Sequence, residues 1–174
     1  MPNWCNNILT ITHKDANKLD NLMAQVRDDA CLFNSIKPMP EELRGTTSPD
    51  DSPNWYDWSV DNWGTKWDAC DLSSSRLNAN TVSFRFDSAY APPIGVYEEL
   101  AEQGFEVEAY YVEYGNYYAG EWHCDANGQV TQEYSNDISE YVPDGADEIF
   151  GITGLLEVWK CEEEEYEKQQ QIKM

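Results

Sequence analysis

Two groups of residues in this sequence have types and spacings that could do chemistry. The carboxylate pairs Glu106 with Glu108 and Asp61 with Asp68 are what general acid and base work requires. The block Trp63-Gly64-Thr65-Lys66-Trp67-Asp68 sets two indoles beside a lone cation, suited to stacking on a base or gripping an anion, and Arg85 and Tyr90 could complete such a ligand site. Each has a plainer reading. Carboxylates two apart on a strand make a solvated face, and two large aromatics around a glycine make a packing plug. The plainer readings are preferred here, because nothing in the sequence shows a pocket and a nucleotide platform would sit in a strongly negative field.

His123 and Cys124 invite a metal or nucleophile reading, yet neighbours on a strand point to opposite faces and cannot share one small site. Cys124 is read as core. His13 stands beside a helix start, so a Cys-His pair would have to be assembled from distant segments. In Asp125-Ala-Asn-Gly128 the glycine comes fourth, whereas a calcium loop needs it sixth with a Glu at the twelfth position, so the segment is read as a hairpin turn. No phosphate loop, Gly-x-Ser-x-Gly or His-Glu-x-x-His pattern occurs. The sequence predicts no catalytic residue, no metal site and no cofactor.

Charge constrains the partner more firmly than any of these patterns. The 174 residues carry 33 Asp and Glu against 11 Lys and Arg, a formal net charge of −22. Such a field repels phosphate backbones and draws in basic surfaces, which argues against direct nucleic-acid binding. A chain so charged would be disordered if hydrophobes were scarce, but 41% of this one is hydrophobic and 13% aromatic, so a folded domain with an acidic skin is expected. Cys5, Cys31, Cys70, Cys124 and Cys161 are scattered, odd in number and without a Cys-x-x-Cys, as reduced structural thiols are. The start lacks a basic and then apolar leader, and no stretch reaches the roughly 18 apolar residues of a membrane span. A cytoplasmic protein without membrane contact is the expectation.

The elements that must position these residues follow from hydrophobic period. Asn6 to Thr12 alternates as a strand with Leu9 and Ile11 inward; Thr12 and Asp15 have capping-box spacing, and Leu19, Leu22, Met23 and Val26 then form a helical stripe. Phe33 to Pro53 is rich in Pro, Gly, Ser and Thr and reads as an irregular excursion, and the aromatic stretch Trp55 to Asp68 is expected to pack across the domain. Thr81 to Asp87 alternates with Val82, Phe84 and Phe86 inward. Pro92 and Pro93 open a helix buried through Val96, Tyr97, Leu100 and Ala101 and stopped at Gly104. Phe105 to Tyr111, Tyr117 to Cys124 and Gln129 to Tyr134 make an antiparallel meander, with Glu106, Glu108, Glu121, His123, Thr131 and Glu133 on one outward face. A final helix begins near Thr153 and passes into Glu162 to Glu165, where fraying is expected.

This order predicts an α+β fold, a ferredoxin-like sandwich whose antiparallel sheet carries helices on one face and is open on the other. One domain is expected over residues 1–160, with an insertion at about 33–80 and an acidic tail over 161–174. The open face would present carboxylates where nucleic-acid-binding relatives of the architecture place aromatic and basic residues.

Four blocks carry a resemblance: Met1-Pro-Asn-Trp-Cys-x-Asn7, Trp63 to Asp68, Phe86-Asp-Ser-Ala-Tyr-Ala-Pro-Pro93, and Glu113-Tyr-Gly115 followed by Gly120. Together, and in this order over roughly residues 1–134, they resemble the YubB ferredoxin-like family of phage and plasmid proteins. The resemblance implies a ferredoxin-like core and a mobile-element origin in bacteria, and no reaction. The chain departs from the family pattern where Tyr90-Ala91 stands in place of a more typical Trp-Ser, and in its Gly45 to Pro53 stretch and acidic C-terminus.

Charge and resemblance together lead to the expectation of an interaction protein rather than an enzyme. It would bind and inhibit a basic, nucleic-acid-binding host protein through Glu106, Glu108, Glu121, Glu133, Asp61, Asp68 and Asp87. The alternative is a small-molecule or nucleotide-derivative binder using Trp63, Lys66, Trp67, Arg85 and Tyr90. A third possibility, acidity as a solubility or salt adaptation, predicts unusual stabilisation by molar salt.

Overall fold

The computed structural model describes residues 3–29 and 31–172. Among the described residues six strands form, all but β2 on alternating, β-branched or aromatic segments: β1 Trp4–Thr12, β2 Cys70–Asn78, β3 Thr81–Ala89, β4 Glu106–Glu113, β5 Tyr118–Cys124 and β6 Val130–Ser135. They make one sheet in the order β2-β3-β1-β4-β5-β6, antiparallel at every junction. Six α-helices accompany it among the described residues: α1 Ala16–Asp29, α2 Leu32–Ile36, α3 Trp55–Trp63, α4 Ile94–Glu102, α5 Asp144–Phe150 and α6 Ile152–Ile172. The fold is α+β.

Register decides which side chains share a face. Leu9 sits between Phe84 and Ala109, and Ala109 faces Trp122, so these side chains line one side of the sheet. There they meet Leu19 and Val26 of α1, Leu32 and Phe33 of α2, Trp63 of α3, and Val96, Tyr97 and Leu100 of α4 in one core. Each fully buried aliphatic side chain contributes roughly 1.5–3 kcal/mol relative to exposure, so this layer is the main source of stability.

Several local readings change in the structure. Thr12 caps nothing: its hydroxyl meets that of Thr81 across the strands, while Asp15, just before α1, accepts the Asn17 backbone N–H at 3.0 Å. Phe33 to Pro53 is not wholly irregular, since it contains most of α2 and a 3-10 turn at Glu41–Leu43. Trp55 to Trp63 is a helix opened by Asn54, whose side chain accepts from Tyr56 and Asp57 N–H, and closed by Gly64 at φ +88°. Cys70 to Asn78 is an additional edge strand, irregular in register and exposed along most of its length. The Glu162 to Glu165 run lies within α6, which extends to Ile172.

The second face of the sheet is only half open. Val112 of β4 and Ala119 of β5 are buried there under Ile138, Ala146 and Ile152, with Phe150 and Leu156 packed alongside. This smaller core seats α5 and the root of α6 on the sheet. From Glu157 to Gln169 α6 is exposed, and its 21 residues at about 1.5 Å each make it about 31 Å long.

Candidate interaction surface

Charge in this molecule is segregated by position. No Lys or Arg occurs between Arg85 and Lys160, and the residues in that interval build α4, β4, β5, β6, α5 and the first part of α6. Glu106, Glu108, Asp125, Glu133, Glu140, Asp144, Glu148 and Glu157 of that half are exposed, and α6 adds exposed Glu162 to Glu165 and Glu167. The effect reaches a neighbour: burial pushes the Tyr110 phenol above its ordinary range, and Glu108, Glu121 and Glu148 push it further.

Five of the seven predicted carboxylates lie on the second face of the sheet, four of them grouped on β4, β5 and β6. Glu108 pairs across to His123, which pairs to Thr131; Tyr110 pairs to Glu121, which pairs to Glu133; Glu106 is two residues from Glu108 on the same side. Glu106, Glu108 and Glu133 are solvent-exposed. Glu121 is not an open carboxylate: α5 lies over it, its Oε2 is buried without a hydrogen-bond partner, and its Oε1 is 3.7 Å from His123 Nε2. His123 also meets the Tyr110 ring edge-on at 5.2 Å, while Cys124 turns to the opposite side, into the main core. Asp87 lies on this face as well, but over β3 on the far side of β1, where it accepts a hydrogen bond from Asn6 at 2.7 Å.

Asp68 and Asp61 leave the predicted set. The Asp68 carboxylate accepts the backbone N–H groups of Phe33 and Asn34, both at 2.8 Å, and of Ala69 at 2.7 Å. It therefore holds the first turn of α2 in place. Burial raises its pKa above the ordinary carboxylate value in spite of these donors. Asp61 is exposed on α3, a helix of the main-core side, and so faces away from Glu106 and Glu108.

The alternative ligand set also divides. Trp63 is buried, edge-on to Phe33 and Trp58, with its indole N–H donated to Lys37 O at 2.8 Å, so its role is packing. Lys66 and Trp67 do meet, with Nζ 4.5 Å from the indole centroid, and Trp67 is 38% exposed. Together with Trp55 and Arg44 they line a cleft of about 290 Å³. Arg85 projects from the other face of the sheet, beside Asp71 and Phe150. Tyr90 follows the end of β3 at φ +68°, and its carbonyl accepts the Tyr118 hydroxyl.

Apart from Met1 and Pro2, which lie outside the described residues, the four blocks quoted from the sequence converge at one end of the sheet. Tyr90 N donates to Asn3 O at 2.9 Å and Thr65 Oγ1 to Ala89 O at 2.7 Å, while a Cβ on Gly64 would lie 3.2 Å from Pro92 O. Asn7, Ser88 and Tyr97 form a buried hydrogen-bonded set, with Asn7 donating to Ser88 at 2.9 Å and Tyr97 to Asn7 at 3.0 Å. Glu113, 1% exposed, accepts from Gly115 and Asn116 N–H and so closes the β4–β5 turn. These contacts are architectural. They satisfy buried polar groups that would otherwise cost about 1–3 kcal/mol each.

Sequence reasoning missed Glu140 and Glu157 as members of the acidic half, and Trp55 and Arg44 as walls of the cleft. The absence of any Lys or Arg from 86 to 159 is the signal that could have found the first pair.

The class defined by this architecture is an α+β domain built on a six-stranded antiparallel sheet. Among solved structures it is similar to the crystal structure of the protein api92 from Yersinia pseudotuberculosis, of family model DUF1281, with a TM-score of 0.54 and 12% identity over 78% of this chain and 98% of that one. At that identity the likeness bears on fold alone. No family model matches the chain, and no curated protein matches it. Among the described residues no helix is long and apolar enough to cross a membrane.

Proposed function

We propose that this chain is an acidic interaction protein, of phage or plasmid type, that acts by occupying the basic, nucleic-acid-binding surface of a cytoplasmic host protein and inhibiting it. One observation carries the reading: the acidic half formed by β4, β5, β6, α5 and α6, free of Lys and Arg from residue 86 to 159, facing solvent with Glu106, Glu108 and Glu133 on a sheet and a Glu-rich helix about 31 Å long beside it. B-DNA carries roughly one negative charge per 1.7 Å of axis, so carboxylates held on a rigid sheet and helix can take its place against Lys and Arg. Such a surface speeds encounter and sets specificity by complementarity, at a strength that falls with salt.

The connectivity β1-α1-β2-β3-α4-β4 with the order β4-β1-β3-β2 supports reading the core as a split βαβ, ferredoxin-like one, with β5 and β6 added beyond β4. With the four sequence blocks, it favours membership of the YubB ferredoxin-like family.

The test is capture of basic proteins from a bacterial lysate on the immobilised protein, at low and high salt, beside a variant carrying Glu106→Lys, Glu108→Lys and Glu133→Lys. The reading expects nucleic-acid-binding proteins released by salt, and their loss in the variant. Equal capture by the two proteins counts against it.

A second reading has one observation in its favour. The cleft gathers two cations, Arg44 and Lys66, and three indoles, Trp55, Trp63 and Trp67, against one carboxylate, Asp68, in a chain otherwise dominated by acid. It would take a small aromatic anion, and a panel of nucleotides that leaves the melting temperature unmoved would exclude it.

A further inference from the structure

A groove of about 490 Å³ runs between the root of α6 and the segment 138–142. Its floor includes Ile138 and Leu156, members of the smaller core, so it is backed by packed side chains. Its walls are three aromatics left half-open: Tyr117 at 44%, Tyr141 at 48% and Trp159 at 37% exposure. Glu140, Glu157 and Glu163 also line it and outnumber Lys160, the cation among its lining residues.

The walls are held in place. Trp159 packs edge-on against Tyr114 with centroids 5.7 Å apart. Tyr117 adopts φ +59°, a left-handed backbone that residues other than glycine seldom take, and its carbonyl accepts Ile138 N–H at 2.7 Å. Tyr141 donates its hydroxyl to Glu133, which ties the groove to the acidic sheet face.

We infer that this groove seats an arginine side chain of the basic partner, an inference that rests on the reading of the chain as an acidic interaction protein. Aromatic faces attract cations, and a guanidinium both stacks on a ring and forks to carboxylates, which an ammonium does not do as well. Large aromatic anchors around a desolvated pocket are also what carries most of the binding energy at an interface. The field of the surrounding half agrees in sign with a cationic occupant and opposes a phosphate or a free carboxylate. It opposes a second copy too, because an α6-to-α6 contact would bring the two Glu162 to Glu165 runs together.

The experiment uses labelled hexa-arginine and hexa-lysine peptides and reads fluorescence anisotropy at one low ionic strength. The proteins are the full chain, Trp159→Ala, Tyr141→Ala, and Glu106→Lys with Glu108→Lys; circular dichroism confirms folding of each. The inference expects about tenfold tighter binding of hexa-arginine than of hexa-lysine, a preference abolished in Trp159→Ala and reduced in Tyr141→Ala. The sheet-face variant should weaken both peptides alike and keep the preference. An arginine preference that survives both aromatic substitutions overturns the inference and leaves the acidic reading standing. Binding of neither peptide overturns both. A dimer seen by sedimentation and dissociated by Trp159→Ala would assign the groove to a second copy and overturn the inference as well.

Discussion

A Cβ at Gly145 would stand 2.1 Å from Glu121 Oε2 and 2.7 Å from Tyr110 Cε1, so α5 lies close against these two side chains and any side chain at 145 would have to displace them. The same contact leaves that carboxylate oxygen buried and without a hydrogen-bond partner. Closing half of the second face thus fixes one of the predicted acidic residues under a helix. Gly145→Ala should move the Glu121 carboxylate and the Tyr110 ring aside and cost up to about 1 kcal/mol, the low end for overpacking, because the atoms met belong to side chains and not to backbone. Urea unfolding followed by far-ultraviolet dichroism measures it, and a loss of several kcal/mol would mean that these side chains cannot give way under α5.

Asp68 and Asp125 should titrate on opposite sides of the ordinary Asp value. Burial raises Asp68, whereas the Gln129 and Asn127 N–H groups hold Asp125 down in the hairpin turn, with the Asn127 side chain assisting. A raised carboxyl pKa means the folded chain keeps a proton the unfolded chain has lost, so the Asp68 contribution falls as pH rises from the unfolded value through the folded one. A lowered pKa has the reverse sign: the Asp125 contribution is present above the unfolded value and is lost as pH falls through the folded one. Carboxyl-carbon NMR titration reads both midpoints directly. Asp68 titrating at or below the ordinary value would contradict the burial of its cap on α2.

Cys5 and Cys161 should differ sharply as nucleophiles. Cys5 is fully buried, and burial pushes its thiol up to about 12, so almost none is thiolate at pH 8. Cys161 is exposed on α6. A thiol reagent at pH 8 should label Cys161 promptly and reach Cys5 only on unfolding, and mass spectrometry of the labelled peptides distinguishes them.

The contrast between elements that could and could not be read in the sequence has a physical basis. β1, β3 and β4 bury one whole side, so Leu9 and Ile11, Val82 to Phe86 and Phe105 to Tyr111 had to alternate, and they do. β2 is an exposed edge; no core imposes a period on Ser73 to Arg76, and none is present. The short α2 takes its cap from Asp68, 35 residues beyond Phe33 in the chain, which local patterning cannot see. The helix α3 was within reach, since Asn54 and Gly64 are ordinary start and stop residues. The grouping of Glu106, Glu108, Glu121 and Glu133 followed from strand alternation and the Asn127-Gly128 turn. Exclusion of Asp61 and Asp68 required the tertiary structure.

The central claim is that the acidic half replaces nucleic acid on a basic surface, and competition tests it most directly. A nucleic-acid-binding protein captured on this chain would be titrated with duplex DNA while release of the chain is followed, at fixed salt. The account predicts mutually exclusive binding, with the Glu106→Lys, Glu108→Lys, Glu133→Lys variant unable to displace DNA. A stable ternary complex, or displacement of DNA by the variant as efficient as by the native chain, would contradict it.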